Sequence, residues 1–298
     1  MKKQRWQLRA IPGASYAPKL RGAALILLAA LALLSAAGCG ETDASESAAQ
    51  EEWHLITPAP TAEPTPSPTP EPTPEYVLRE RVPILMYHAL GDGDNNLYLE
   101  LDLFREQLDW MEEHGVHPVT LKELYAHWYE GAWLPEKPIV LTFDDGYREM
   151  YTEAYPRLAE KGFTAVFFVF PSARWSDAFM LQDMTTEMAE GGMEIGCHTY
   201  THADVSALGE ADLEYQIAES KTVLESYLPY EVDSFCYPSG GYSDASRAKV
   251  AETGYQLAVT TEWGIASVED DPMLLPRVRI SRGNGAAYLE EVLAELGY

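Results

Sequence analysis

The chain has 298 residues, 46% of them hydrophobic and 11% aromatic, which is enough apolar surface for a sizeable core and excludes wholesale disorder. Its 47 acidic against 21 basic residues give a net charge of -26, which repels phosphates and excludes a nucleic-acid partner; metals, sugars and basic polymers stay open. Three cysteines are too few for a disulfide scaffold.

The chain opens with a targeting pattern. Lys2, Lys3, Arg5, Arg9, Lys19 and Arg21 precede an apolar run from Ala23 to Ala37 that leads through Gly38 to Cys39. The run has 15 residues, short of the about 20 that a spanning helix needs, and small residues stand before the cysteine. The pattern predicts a signal peptide over 1–38, with Cys39 the lipidated first residue of a bacterial lipoprotein held at the extracellular face of the cell membrane. An uncleaved anchor helix is the alternative. Removing 1–38 takes away six bases and no acid, leaving 15 bases against 47 acids and a net charge of -32.

Residues 39–80 read as a disordered linker. Thr57 to Pro74 holds eight prolines and five threonines in 18 residues and cannot bury a core. Extended at about 3.1 Å per residue, such a segment is a spacer between membrane and domain.

From Arg81 to the end the composition is that of a globular domain. Short apolar runs at Val82–Tyr87, Ile139–Phe143, Ala165–Phe170, Glu194–Cys197, Phe235–Tyr237, Leu257–Val259 and Val278–Ile280 predict buried strands. Between them, helical stripes such as Leu101, Phe104, Leu108 and Met111, or Leu213, Ile217 and Leu224, predict helices that turn one face to a core. The alternation predicts an α/β fold, most simply a closed or distorted (β/α) barrel of about seven parallel strands over 81–298.

In such a barrel the chemistry sits where strands end. Four runs end in polar residues: His88, Asp144-Asp145-Gly146, His198-Thr199-Tyr200-Thr201-His202, and Pro238-Ser239-Gly240-Gly241. Side chains alternate along a strand, so Asp144 and Asp145 diverge and one can bind metal while the other handles protons. His198 and His202 can meet on one ion if the segment coils through a helical turn. Two imidazoles and a carboxylate match a catalytic metal site; a simple turn with solvated histidines is the alternative.

Thr142-Phe143-Asp144-Asp145-Gly146 and His198-Thr199-Tyr200-Thr201-His202 resemble the two signature motifs of the polysaccharide deacetylases, the NodB-homology or carbohydrate esterase family 4 enzymes. The resemblance covers about residues 81–298. It implies a distorted (β/α) barrel, Asp144 as general base, and Asp145, His198 and His202 holding a divalent metal, usually zinc.

The family's third motif, Arg-x-Pro-Tyr-Gly, is matched by Cys236-Tyr237-Pro238-Ser239-Gly240, which lacks the arginine and tyrosine. The resemblance implies that the Ser239 N–H helps bind the oxyanion, and that Arg277 or Arg279 supplies the cation that orients the base; surface salt bridges are the alternative for both. Tyr-Pro in this motif and Pro83-Ile84-Leu85-Met86-Tyr87-His88 resemble the branch that deacetylates biofilm poly-N-acetylglucosamine. In that branch the histidine matching His88 is the general acid, although a buried structural histidine fits too. Trp175, Tyr200, Tyr242 and Trp263 lie in loops beside the motifs, where they could stack on sugars or pack on the rim. A disulfide between Cys197 and Cys236 stays open.

The expected activity is hydrolysis of N-acetyl groups on an extracellular amino-sugar polymer such as poly-N-acetylglucosamine. Peptidoglycan N-acetylglucosamine or acetylxylan deacetylation are alternatives, as is a non-catalytic glycan-binding lipoprotein.

Overall fold

The computed structural model describes residues 76–297; the expected signal peptide, Cys39 and the linker as far as residue 75 lie outside the described residues. Seven strands form the centre: β1 (Ile84–Tyr87), β2 (Pro138–Phe143), β3 (Val166–Val169), β4 (Glu194–Cys197), β5 (Ser234–Cys236), β6 (Leu257–Trp263) and β7 (Leu275–Arg279). Each pairs in parallel with its neighbour in sequence. Pairing of β7 with β1, Val278 opposite Leu85, closes the sheet into a barrel.

Strand alternation sorts the apolar side chains into two cores. Leu85, Leu141, Phe143, Phe167, Ile195, Phe235 and Val278 face outward, where the outer helices cover them. Ile84, Val140, Val166, Phe168, Val259 and Leu275 fill the barrel. Gly196 on β4 is required for this filling, because a Cβ there would stand 2.5 Å from the Phe168 ring.

Helix α1 (Leu101–Glu113) buries Phe104, Leu108 and Met111 against the outer face of the barrel. Helix α2 (Leu121–Glu130) closes the end where the strands begin. Its start is fixed by a capping box, in which Thr120 and Glu123 exchange side-chain and backbone hydrogen bonds, and Gly131 ends it in the left-handed conformation. Leu121, Leu124 and Trp128 of α2 join the inner core, and the Lys122 N–H donates to Glu194 at the first residue of β4. Six further helices follow: α3 (Tyr155–Lys161), α4 (Gln182–Glu190), α5 (Glu210–Leu213), α6 (Ser220–Glu225), α7 (Asp244–Glu252) and α8 (Ala286–Leu293).

Three features go beyond the sequence expectations. No helix connects β6 to β7; instead Ala266–Ser267 pairs antiparallel with Arg81–Val82, which is one source of the distortion. An unexpected short strand, His117–Val119, pairs with the first half of β2 and leaves the second half to β3. Residues 76–80, assigned from sequence to the linker, lie on α2: the Tyr76 hydroxyl donates to the His127 carbonyl, the Arg79 N–H to His127 Nε2, and the Trp128 indole to the Arg79 carbonyl. Among the described residues no helix is long and apolar enough to cross a membrane.

Candidate active site

The C-terminal ends of the strands gather the polar residues. β1 runs into His88, β2 into Asp144 and Asp145, β4 into His198, and β5 into the turn Pro238–Gly240 that carries Ser239. A bond from the Asp144 N–H to the Tyr87 carbonyl, 3.0 Å, sets the ends of β1 and β2 side by side.

Asp144 follows outward-facing Phe143 and therefore points inward, where it is 2% exposed. Fully buried Arg277, on β7, grips both its oxygens, Nη1 to Oδ1 at 2.8 Å and Nη2 to Oδ2 at 2.7 Å. The same guanidinium donates to Thr142 Oγ1 at 2.9 Å, to the Thr260 carbonyl at 2.8 Å and to Cys236 Sγ at 3.2 Å, so all five N–H directions have an acceptor. Burial pushes the Asp144 carboxyl up, but the charge and hydrogen bonds of Arg277 outweigh it and hold the group at about 2. Of the two arginines left open by the sequence, Arg277 is the one that reaches Asp144. Arg279, two residues on, is half-buried.

Simple alternation would send Asp145 away from Asp144. Its φ of 76° breaks the alternation and turns the carboxylate into the mouth. There Oδ1 lies 3.0 Å from His202 Nε2 and 3.3 Å from His198 Nε2. The His198 ring is fixed by Nδ1, which donates to the Cys236 carbonyl at 2.8 Å and turns Nε2 towards Asp145. One carboxylate oxygen and two imidazole nitrogens, all within 4.8 Å of one another, are a donor set suited to a divalent transition metal. Asp144, His198 and Cys236 also lie within that distance, but suit an ion poorly. Both Asp144 oxygens are held by Arg277, and burial pushes the Cys236 thiol well up, so it stays protonated.

His198 and His202 meet without the helical turn that their spacing suggested. The chain between them is a tight turn in which Thr199 and His202 take left-handed φ of 61° and 59°, and the two rings stand 4.9 Å apart. Ser239 is left-handed as well, at φ 56°. Of the five non-glycine residues with positive φ among the described residues, four lie at this mouth, and the fifth is Lys137. Backbone held in such conformations costs about 1–3 kcal/mol per residue and persists where its surroundings over-determine it.

His88 stands at the edge of the same group, its Nε2 3.8 Å from Asp144 Oδ2 and its Nδ1 buried without a hydrogen bond. Burial holds this imidazole below its ordinary value, against the pull of Asp144 and Asp145. Ser239 is exposed; its carbonyl accepts from Thr261 Oγ1 at 3.4 Å, and no hydrogen bond joins it to Asp144 or to the histidines. Cys197 and Cys236 are both free and face opposite ways, Cys197 outward to Ser220 Oγ at 3.0 Å and Cys236 inward to Arg277, so strand alternation keeps the two thiols from pairing. Of the aromatic residues, Tyr200 stacks on Tyr215 and Tyr242 bonds Glu262, while Trp175 and Trp263 remain 73% and 70% exposed. Gln216 was missed by sequence reasoning. It is buried on the outer helical layer and accepts hydrogen bonds from the turn between the two histidines.

A (β/α) barrel whose mouth carries a buried ionised carboxylate beside a carboxylate and imidazole cluster has the make-up of a hydrolase. The family model described as "Polysaccharide deacetylase" matches residues 132–258. The Bacillus subtilis (strain 168) protein named "Putative polysaccharide deacetylase YxkH" is 32% identical over 209 residues, which cover 70% of this chain and 75% of that protein. The poly-beta-1,6-N-acetyl-D-glucosamine N-deacetylase of Escherichia coli (strain K12) is 26% identical over 222 residues, 59% of this chain but only 33% of that enzyme. Among solved structures, the Streptococcus pyogenes deacetylase PplD in complex with acetate superposes with a TM-score of 0.68 at 30% identity, covering 71% of this chain and 97% of that one. The chain belongs to the polysaccharide deacetylase family.

Proposed function

We propose that this protein removes N-acetyl groups from an extracellular amino-sugar polymer such as poly-N-acetylglucosamine, and that it does so with a divalent ion, zinc by its donor set, held by Asp145, His198 and His202. The observation that carries the reading is the division between the two adjacent carboxylates. Asp144 is engaged on both oxygens by Arg277, while Asp145 faces two imidazoles. The name of the Escherichia coli relative supports the polymer. The basic and apolar leader ending at Cys39 supports export and a lipid anchor in the membrane.

A bound divalent ion supplies Lewis-acid polarisation of the acyl carbonyl and of the attacking water. Asp144, kept ionised by Arg277, accepts the proton of that water. The Ser239 N–H, presented by its left-handed turn, donates to the developing oxyanion. His88 Nε2, 3.8 Å from Asp144 Oδ2, is placed to relay the proton to the departing nitrogen, which is too basic to leave unprotonated.

The test uses mature protein purified without chelator, assayed for metal per chain and for acetate release from poly-β-1,6-N-acetylglucosamine, peptidoglycan and acetylxylan. The expected result is about one ion per chain and fastest release from the first polymer. Faster release from either of the others would replace the proposed substrate, and release from none would favour a glycan-binding role. For the anchor, Cys39→Ala is expected to abolish lipid labelling of the protein in cells; undiminished labelling would contradict it.

A further inference from the structure

We infer that Gln216 is a positioning residue for the two imidazoles, and that through them it sets the affinity of the site for a divalent ion. The inference rests on the metal reading proposed above. Gln216 is 8% exposed and lies on the π-helical segment Glu214–Glu219, which joins α5 to α6. Its side chain reaches the turn between His198 and His202. Oε1 accepts from the backbone N–H groups of Tyr200 and Thr201, each at 3.0 Å, and Nε2 donates to Thr201 Oγ1 at 2.9 Å.

Those two amides belong to neither helix nor strand, so the carboxamide supplies the pairing that regular structure gives elsewhere. The flanking residues need such support. Thr199 is β-branched and His202 carries a ring, and both hold a left-handed φ that L residues rarely adopt. Ser220, at the other end of the π segment, donates to the Gln216 carbonyl at 2.8 Å and touches Cys197 Sγ at 3.0 Å. The segment thus meets the strand just before His198 and the turn just after it.

The widened turn has a part in this. π-Helical turns are rare, and an α-helical course over the same residues would rotate Gln216 relative to Ser220. The two histidines also differ in what else holds them. His198 is fixed through Nδ1 to the Cys236 carbonyl, whereas the His202 side chain is 36% exposed, packs against the Phe170 ring, 5.6 Å between centroids, and otherwise depends on the turn for its place. A slack turn would therefore free His202 first and spoil the convergence of both rings on Asp145.

The experiment measures zinc affinity of the mature chain by chelator competition and the d–d bands of its cobalt(II) form. Groups that orient metal ligands typically change affinity by about 10–100-fold when removed. That loss, with shifted cobalt bands, is expected for Gln216→Leu. Gln216→Glu keeps acceptor oxygens at the same reach and is expected to stay close to wild type. Should Gln216→Leu fail to fold, Gln216→Asn, one methylene short, carries the same expectation of loss. Unchanged affinity and bands in the leucine or asparagine variant would overturn the inference, as would a glutamate variant as weak as the leucine one. Wild-type protein that binds no zinc would overturn the metal reading and this inference with it, whereas tight wild-type binding that is indifferent to Gln216 would sink the inference alone.

Discussion

Asp144 and Glu194 are buried carboxylates at opposite ends of one barrel, 2% and 8% exposed. Asp144 follows the last residue of β2, and Glu194 is the first residue of β4. Burial acts on both in the same direction, towards the protonated form. Asp144 has a guanidinium across both oxygens and is held at about 2. Glu194 has the Ser234 hydroxyl at 2.5 Å and the Lys122 N–H at 3.0 Å, while the Lys122 ammonium turns to Asp233 instead; burial pushes this carboxyl up. Depth alone does not keep a carboxylate ionised at neutral pH. A dedicated cation does, and this fold places one at the mouth and leaves the opposite end with neutral donors.

Substituting the cation breaks that contrast most severely. Arg277→Met leaves Asp144 buried without its partner, for which a loss of about 3–5 kcal/mol of stability is expected. Acetate release should fall by at least about a hundredfold. Urea unfolding and turnover measured on the same preparation check both, and a variant that unfolds at the wild-type midpoint would contradict the role given to the pair. His88→Ala should have a narrower effect, lowering turnover on the N-acetyl polymer by about a hundredfold or more. It should do much less to an activated aryl acetate, whose phenolate leaves unprotonated. Equal losses on the two substrates would assign His88 to binding or packing.

The smallest effect is expected at the other end. Glu194→Gln mimics the protonated acid and should change stability by no more than about 1 kcal/mol. It should, however, remove a pH dependence. A carboxyl whose folded-state pKa is raised holds its proton more tightly when folded. Its contribution is therefore complete below the ordinary glutamate value and is lost as pH rises through the folded value. Urea midpoints across that range should decline in the wild type and flatten in the variant; parallel profiles would mean that Glu194 is not held protonated.

The barrel was legible because its strands are short, apolar and spaced by helical stripes, so periodicity carried most of the architecture. His117–Val119 escaped because it is three residues long and contains a proline, which argues against a strand. At the site, residue types and motif spacing identified Asp144, Asp145, His198 and His202 as a group. The means of their convergence was hidden, since left-handed backbone at Asp145, Thr199 and His202 leaves no mark at residues that are not glycine. Arg277 could be offered only as one of two arginines, because its partner lies 133 positions earlier and only closure of β7 onto β1 brings them together. Gln216 gave no signal, being an ordinary polar residue whose place depends on a π-helical turn.

The division of labour between Asp144 and Asp145 is tested most directly by measuring metal content and acetate release together in Asp144→Asn and Asp145→Asn, each purified without chelator. Asp144 should prove dispensable for the ion and indispensable for turnover, so the first variant is expected to keep the wild-type metal content while releasing no acetate above background. Asp145→Asn should lose most of both. An Asp144→Asn protein that arrives without metal, or an Asp145→Asn protein that retains metal and turnover, would contradict the assignment of one carboxylate to the proton and the other to the ion.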